Sequence, residues 1–276
     1  MISKLSLVLI FIIVLNLQSF KQGNLLITPK RVVFDGNNQK AELNLMNTGT
    51  DSATYSISFR QYNMTELGKL MLIEKPDSAQ MPAEPYLRIF PRQVTLAPGE
   101  GQVIMLQCRR NSGMKTGEYR SHLWFRDEKN YEASGNEKPS LDTNQLSVSV
   151  TAIFGITIPI IIRSGEINVS SHLSDLKLEI QKDTISFIKL SINRTGNISL
   201  YGNLYVDFVP TQGKPFEIGR LNSIGVYTNI SKRIISIKLN NIPGIDLKTG
   251  KLKVRFTSPD DSKYVVYAEE ELSITN

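Results

Sequence analysis

Little in this chain of 276 residues can do covalent chemistry. One cysteine, Cys108, allows no intrachain disulfide. It lies in the apolar run Val103-Ile-Met-Leu-Gln-Cys108, which predicts a buried, inert thiol. The two histidines, His122 and His172, have no metal-ligand spacing between them. The parity of Arg120, His122, Trp124 and Arg126 predicts a partly exposed strand face, and His172 sits among polar turn residues. There is no glycine-rich phosphate loop and no nucleophile elbow. Asp260-Asp261 and Glu269-Glu-Glu271 read as solvated turn and edge charges. The net charge is +6, but Lys and Arg never form a run, which argues against nucleic acid and leaves a surface suited to carboxylate-bearing partners.

Long apolar runs are also missing. The longest, residues 5–15, falls short of the roughly 20 residues that span a bilayer. Preceded by Lys4 and followed by the small residue Ser19, it reads as a secretory signal over residues 1–19, with no cysteine nearby for a lipid anchor. These absences leave an exported binding protein, not an enzyme, with no cofactor and no metal.

What the chain does have is strand pattern. Residues 25–34, 40–46, 53–62, 101–109 and 119–125 alternate or run apolar, with turn chemistry between them, and no helical period intervenes. Residues 64–85 carry Pro76, Pro82 and Pro85 and read as a loop. Tyr119, just past Gly117, has the setting of a tyrosine corner in an immunoglobulin-like sandwich. After Ser164-Gly165, seven further strand-like stretches are separated by turns such as Asn193-Arg-Thr-Gly196 and Ser258-Pro-Asp-Asp261. The fold class expected is all-β, with two immunoglobulin-like sandwich domains over residues 24–163 and 164–276.

Residues 144–163 organise the rest. Every even position from 146 to 162 is apolar (Leu146, Val148, Val150, Ala152, Phe154, Ile156, Ile158, Ile160, Ile162), and most odd ones are small or polar. At about 3.3 Å per residue the run extends roughly 60 Å, far beyond an ordinary strand. Part of the row is therefore expected to meet something other than its own domain's core, although an alternating strand is as often simply a core strand. Pro159 interrupts the ladder and suits an edge or a bulge.

Taken in order, several segments resemble the PapD-like family of periplasmic pilus (fimbrial) assembly chaperones, as a divergent branch. They are Thr28-Pro-Lys-Arg-Val-Val-Phe-Asp-Gly36, Leu43-Asn-Leu-Met-Asn-Thr-Gly49, the Phe90-Pro91 to Pro98-Gly99 stretch, Gly117-Glu-Tyr-Arg-Ser-His-Leu-Trp-Phe125, Gly155-Ile-Thr-Ile-Pro-Ile-Ile-Ile-Arg163, Asn193-Arg-Thr-Gly-Asn-Ile-Ser-Leu-Tyr-Gly202 and Val226-Tyr227. The resemblance implies a boomerang of two domains with a cleft between them. It implies a periplasmic location and incomplete pilus-type subunits as clients, and it extends the partners to an outer-membrane usher. The function implied is capping of those subunits by a lent edge strand, with Leu146, Val148 and Val150 as the donated residues. It further implies Arg31 as the anchor of the subunit's terminal carboxylate, although an ordinary exposed strand arginine fits the residue equally well. The family's late-strand lysine has no counterpart in residues 156–162, and Arg163 is the substitute to look for. The alternative is a secreted or surface pair of β-sandwiches with a structural or adhesive role.

Overall fold

The computed structural model describes residues 24–74, 80–128, 154–181, 185–241 and 249–274. The signal (1–19) and the donated residues Leu146, Val148 and Val150 lie outside them. The described residues form seventeen strands and one short 3-10 turn.

In the first half, β1 (Leu25–Thr28), β3 (Lys40–Asn47), β8 (Gly101–Cys108) and β6 (Leu87–Phe90) make one antiparallel sheet in the order β1-β3-β8-β6. The facing sheet runs β2 (Val32–Phe34), β10 (Gly155–Ser164), β9 (Gly117–Asp127), β4 (Ala53–Met64) and β5 (Leu70–Ile73), with β7 (Gln93–Leu96) also on β4. The alternation read from the sequence is the burial pattern: in β3, Leu43 and Leu45 point inward, and in β8, Ile104 and Leu106 do. Side chains of this size contribute about 1.5–3 kcal/mol each when fully buried. The first part of the expected loop, up to residue 73, is instead a hairpin: β5 folds back on β4, pairing Leu70 with Met64 and Ile73 with Gln61. Prolines mark only the far part of that stretch; Leu70-Met-Leu-Ile73 is itself strand-forming.

Three local readings hold. Tyr119 turns its hydroxyl back to the backbone of Lys115, accepting from the amide at 2.6 Å, as a tyrosine corner does. Cys108 is buried, and that burial raises its pKa. Asn47, in the Leu43–Gly49 segment, is buried but satisfied: its amide donates to the carbonyls of Asp51 and Leu96 and its oxygen accepts from Gly49.

In the second half, β11 (Val169–Gln181), β12 (Ile185–Gly196) and β15 (Lys232–Lys238) face a sheet of β14 (Phe216–Val226), β13 (Leu200–Val209), β16 (Gly250–Thr257) and β17 (Val266–Ile274). His172 lies exposed on β11 rather than in a turn. The two halves enclose separate apolar cores, one around Phe34, Leu123, Phe125 and Ile160, the other around Ile188, Leu204, Val254 and Phe256. The architecture is thus all-β, a sandwich followed by a sandwich.

Candidate functional site

The site is built on β9. Its inward row, Tyr119, Leu123 and Phe125, belongs to the first core. The opposite face carries Glu118, Arg120, His122, Trp124 and Arg126 in strict alternation. The second sandwich covers the first three. The buried Glu118 carboxylate accepts from the Ser199 amide at 3.0 Å, the Ser199 hydroxyl at 2.8 Å and Arg120 at 2.5 Å. Burial alone would push this carboxyl up, but Arg120 and Ser199 outweigh it and hold it below the usual carboxylate range. Arg120 also donates to the Ser199 hydroxyl and lies 3.7 Å from the centroid of the Tyr227 ring.

His122 differs from expectation. It is buried, not partly exposed, with Nε2 3.1 Å from the Tyr227 hydroxyl and the Tyr62 ring edge-on at 5.0 Å. Burial, reinforced by Arg120, lowers its pKa to about 3, so the ring is neutral at ordinary pH. The sequence showed the right face but not the second sandwich that closes over it. Backbone and amide contacts extend the junction: Asn229 makes two hydrogen bonds to Met64, at 3.2 and 2.9 Å, and the Ile234 amide donates to the Glu66 carbonyl at 2.7 Å. The β4–β5 hairpin, missed in the sequence, is what reaches across.

Beside this junction lies a cavity of about 270 Å³ whose walls include Lys30, Arg31, Arg120 and Arg233 and no carboxylate. Arg31 stands with its guanidinium 4.5 Å from the Tyr201 centroid, and its Nε is buried without a hydrogen-bond partner. Among the described residues it forms no ion pair. Burial and then the neighbouring Arg120 lower its pKa to about 10, which still leaves it charged at neutral pH. Arg233 donates to the Gly225 carbonyl and packs against Gly68, where a Cβ would collide with the guanidinium. Arg163, the substitute considered for the absent lysine, points elsewhere, 3.4 Å from Asp35 and 3.8 Å from Glu118. The extra cations of the cavity come from Lys30, Arg120 and Arg233, three residues that the sequence reading did not single out as ligands. Arg120 sat in a recognised motif; nothing local marked Arg233.

The long strand enters the same cavity. β10 pairs with β9 along its whole length, from Gly155 opposite Arg126 to Ser164 opposite Gly117. On its other side β2 pairs in parallel, but only along Ile160, Ile161 and Ile162. Among the described residues no strand pairs with that side of Gly155–Pro159, and Pro159 lines the cavity. The apolar row is divided: Ile158, Ile160 and Ile162 are in the domain's own core, whereas Phe154 is half exposed.

No family model matches this sequence, and no curated protein matches it. Solved structures do. The chain is similar to fimbrial chaperones of known structure. The YadV chaperone aligns at TM-score 0.43 and 12% identity over 91% of this chain and 99% of its own. The Pseudomonas aeruginosa CupB2 chaperone aligns at 0.39 and 12%, over 91% and 100%. A structure of the Salmonella enterica SafA pilin in complex with the SafB chaperone aligns at 0.39 and 11%, over 93% and 98%. At such scores these are likenesses of strand arrangement only.

Proposed function

We propose that this protein is an exported, periplasmic assembly chaperone of two domains, residues 24–163 and 164–276, which holds incomplete β-sandwich subunits of the pilus type by strand addition until an outer-membrane usher receives them. One observation carries the reading: among the described residues, the side of β10 without a partner strand begins at Pro159, in the wall of a cavity lined by cations. A guest strand added there continues the line of β2 and makes main-chain bonds to β10. With its last residue at the cavity, it runs parallel to β10 and delivers its terminal carboxylate to Arg31. A planar guanidinium can bind that group through two charge-assisted hydrogen bonds, and Lys30 and Arg233 add to the field. Upstream in the sequence, Leu146, Val148 and Val150 are the side chains donated to the guest's open groove.

The structural or adhesive alternative draws on one fact, the pairing of Ile160–Ile162 on both sides. It gives no role to Arg31, which forms no ion pair among the described residues.

The test is co-purification of the native protein with its client from the periplasm, beside Val148→Asp and Val150→Asp. Both variants are expected to keep the wild-type melting temperature and to lose the client. Variants that still hold it, or that simply unfold, take the donor role away from this strand.

A further inference from the structure

The uncovered end of the β9 ladder has chemistry of its own. Trp124, the only tryptophan in the chain, lies between Arg60, whose guanidinium is 4.0 Å from the indole centroid, and Arg126, at 6.0 Å. Neither arginine forms an ion pair among the described residues, and the Arg126 Nε is buried without a hydrogen-bond partner. Strand register sets Ser56, Arg126 and Gly155 in one row across β4, β9 and β10. Gly155 has no side chain to fill its place, and the Trp124 Nε1 edge occupies it: a Cβ at Gly155 would collide with that nitrogen. Beyond Gly155 lies the side of β10 that no strand among the described residues pairs.

We propose that Arg126, Trp124 and Gly155 form a subsite for an acidic side chain of the strand that pairs with β10. The inference rests on the strand-addition reading above and adds to it a preference for one guest residue. Directly opposed side chains on neighbouring strands are about 5 Å apart. A guest residue opposite Gly155 therefore has only the glycine and the Trp124 Nε1 edge between itself and Arg126. A carboxylate there accepts from the indole N–H and meets the Arg126 guanidinium, with Glu128, on the same face, already accepting from the Ser56 hydroxyl. Burial of such a pair beside an aromatic ring strengthens it relative to bulk water. Lysine at that position faces two arginines. If the guest's last residue lies at Pro159 in a parallel pairing, the selected residue is the fourth before it.

The probes are three acetylated nonapeptides of alternating threonine and valine with a free C-terminal carboxylate and glutamate, glutamine or lysine at the centre. Each is titrated into the full-length mature protein, with Trp124 fluorescence and amide shifts at residues 155–159 as the readouts. The glutamate peptide is expected to bind about tenfold more tightly than the lysine peptide, a difference of about 1.4 kcal/mol, with glutamine between them. Arg126→Gln, which keeps the stem that packs on the strand, is expected to abolish that preference while leaving affinity for the glutamine peptide unchanged. Trp124→Phe, read by amide shifts alone, is expected to reduce it. Equal binding of the three peptides with shifts at 155–159 overturns the subsite and leaves strand addition standing. So does an undiminished preference in both variants. Binding of none of them removes strand addition at this edge and the subsite with it.

Discussion

Two arginines, each set against a tyrosine, sit in opposite electrical settings. On the second sandwich, Arg255 lies 5.6 Å from the Tyr205 ring, donates to Asp207 at 2.7 Å and reaches the Tyr264 hydroxyl at 3.2 Å. Burial would lower its pKa, but Asp207 and Tyr264 more than offset it and the pKa rises. The same ring carries Arg220, which is paired with Glu217, and the Tyr205 hydroxyl donates to Asp260 at 2.6 Å. Every charge there has a partner. Arg31 on Tyr201 has the same ring contact but no ion pair among the described residues, and burial and Arg120 lower its pKa more than Glu118 raises it. The network around Tyr205 is closed among the described residues, whereas Arg31 is left with a charge that an incoming anion can pair.

Glu118→Ala breaks this contrast hardest. It removes the carboxylate that steadies Arg120 and leaves a buried cation uncompensated, for an expected loss of about 3–5 kcal/mol in urea denaturation. Asp207→Ala on the surface network should cost about 1 kcal/mol or less. Equal losses would mean that the two settings are alike after all. Next in size is Arg31→Ala, which is expected to weaken client binding roughly 10- to 100-fold through loss of charge-assisted hydrogen bonds, with little change in stability. Arg255→Ala should leave client binding unaltered, and a pull-down of both variants decides between a reserved charge and an idle one.

Acid sharpens the contrast further. The folded His122 imidazole takes a proton only near pH 3, the unfolded one near 6.5. Between those values the unfolded state binds more protons, so stability falls as pH drops through the window, by at most about 1.4 kcal/mol per pH unit from this residue, and no further below it. Glu118, whose pKa is lowered from 4.5, adds a loss of the same sign only below that value. His122→Gln should therefore flatten the dependence between pH 6.5 and about 4.5 and leave the lower limb. A variant with an unchanged slope in thermal melts across that range would place the titrating group elsewhere.

Much of the fold was legible because strand burial repeats every two residues, and chain order carries that period. The rows Leu43–Leu45, Ile104–Leu106 and Ile158–Ile162, and the tyrosine corner at Tyr119, needed nothing beyond it. The β4–β5 hairpin escaped because its strand is four residues long and sits among prolines and polar residues. Arg31 was legible as a candidate from its motif, but that it is partly buried against Tyr201 and forms no ion pair among the described residues is visible only in the packed structure. Arg233 could not be found at all, since it lies more than two hundred residues from Arg31 and only the packing of the two sandwiches unites them.

The sequence by itself determined that this is a chain of β-strands with one face each for a core. Period, turn chemistry and composition are local properties, readable one segment at a time. The tertiary structure alone decided which charges are paired, that His122 is neutral, and that β10, among the described residues, has its second neighbour only from Ile160 on, beside the wall of a cationic cavity. Those depend on desolvation and on distances between segments remote in the chain, and no window of sequence contains them.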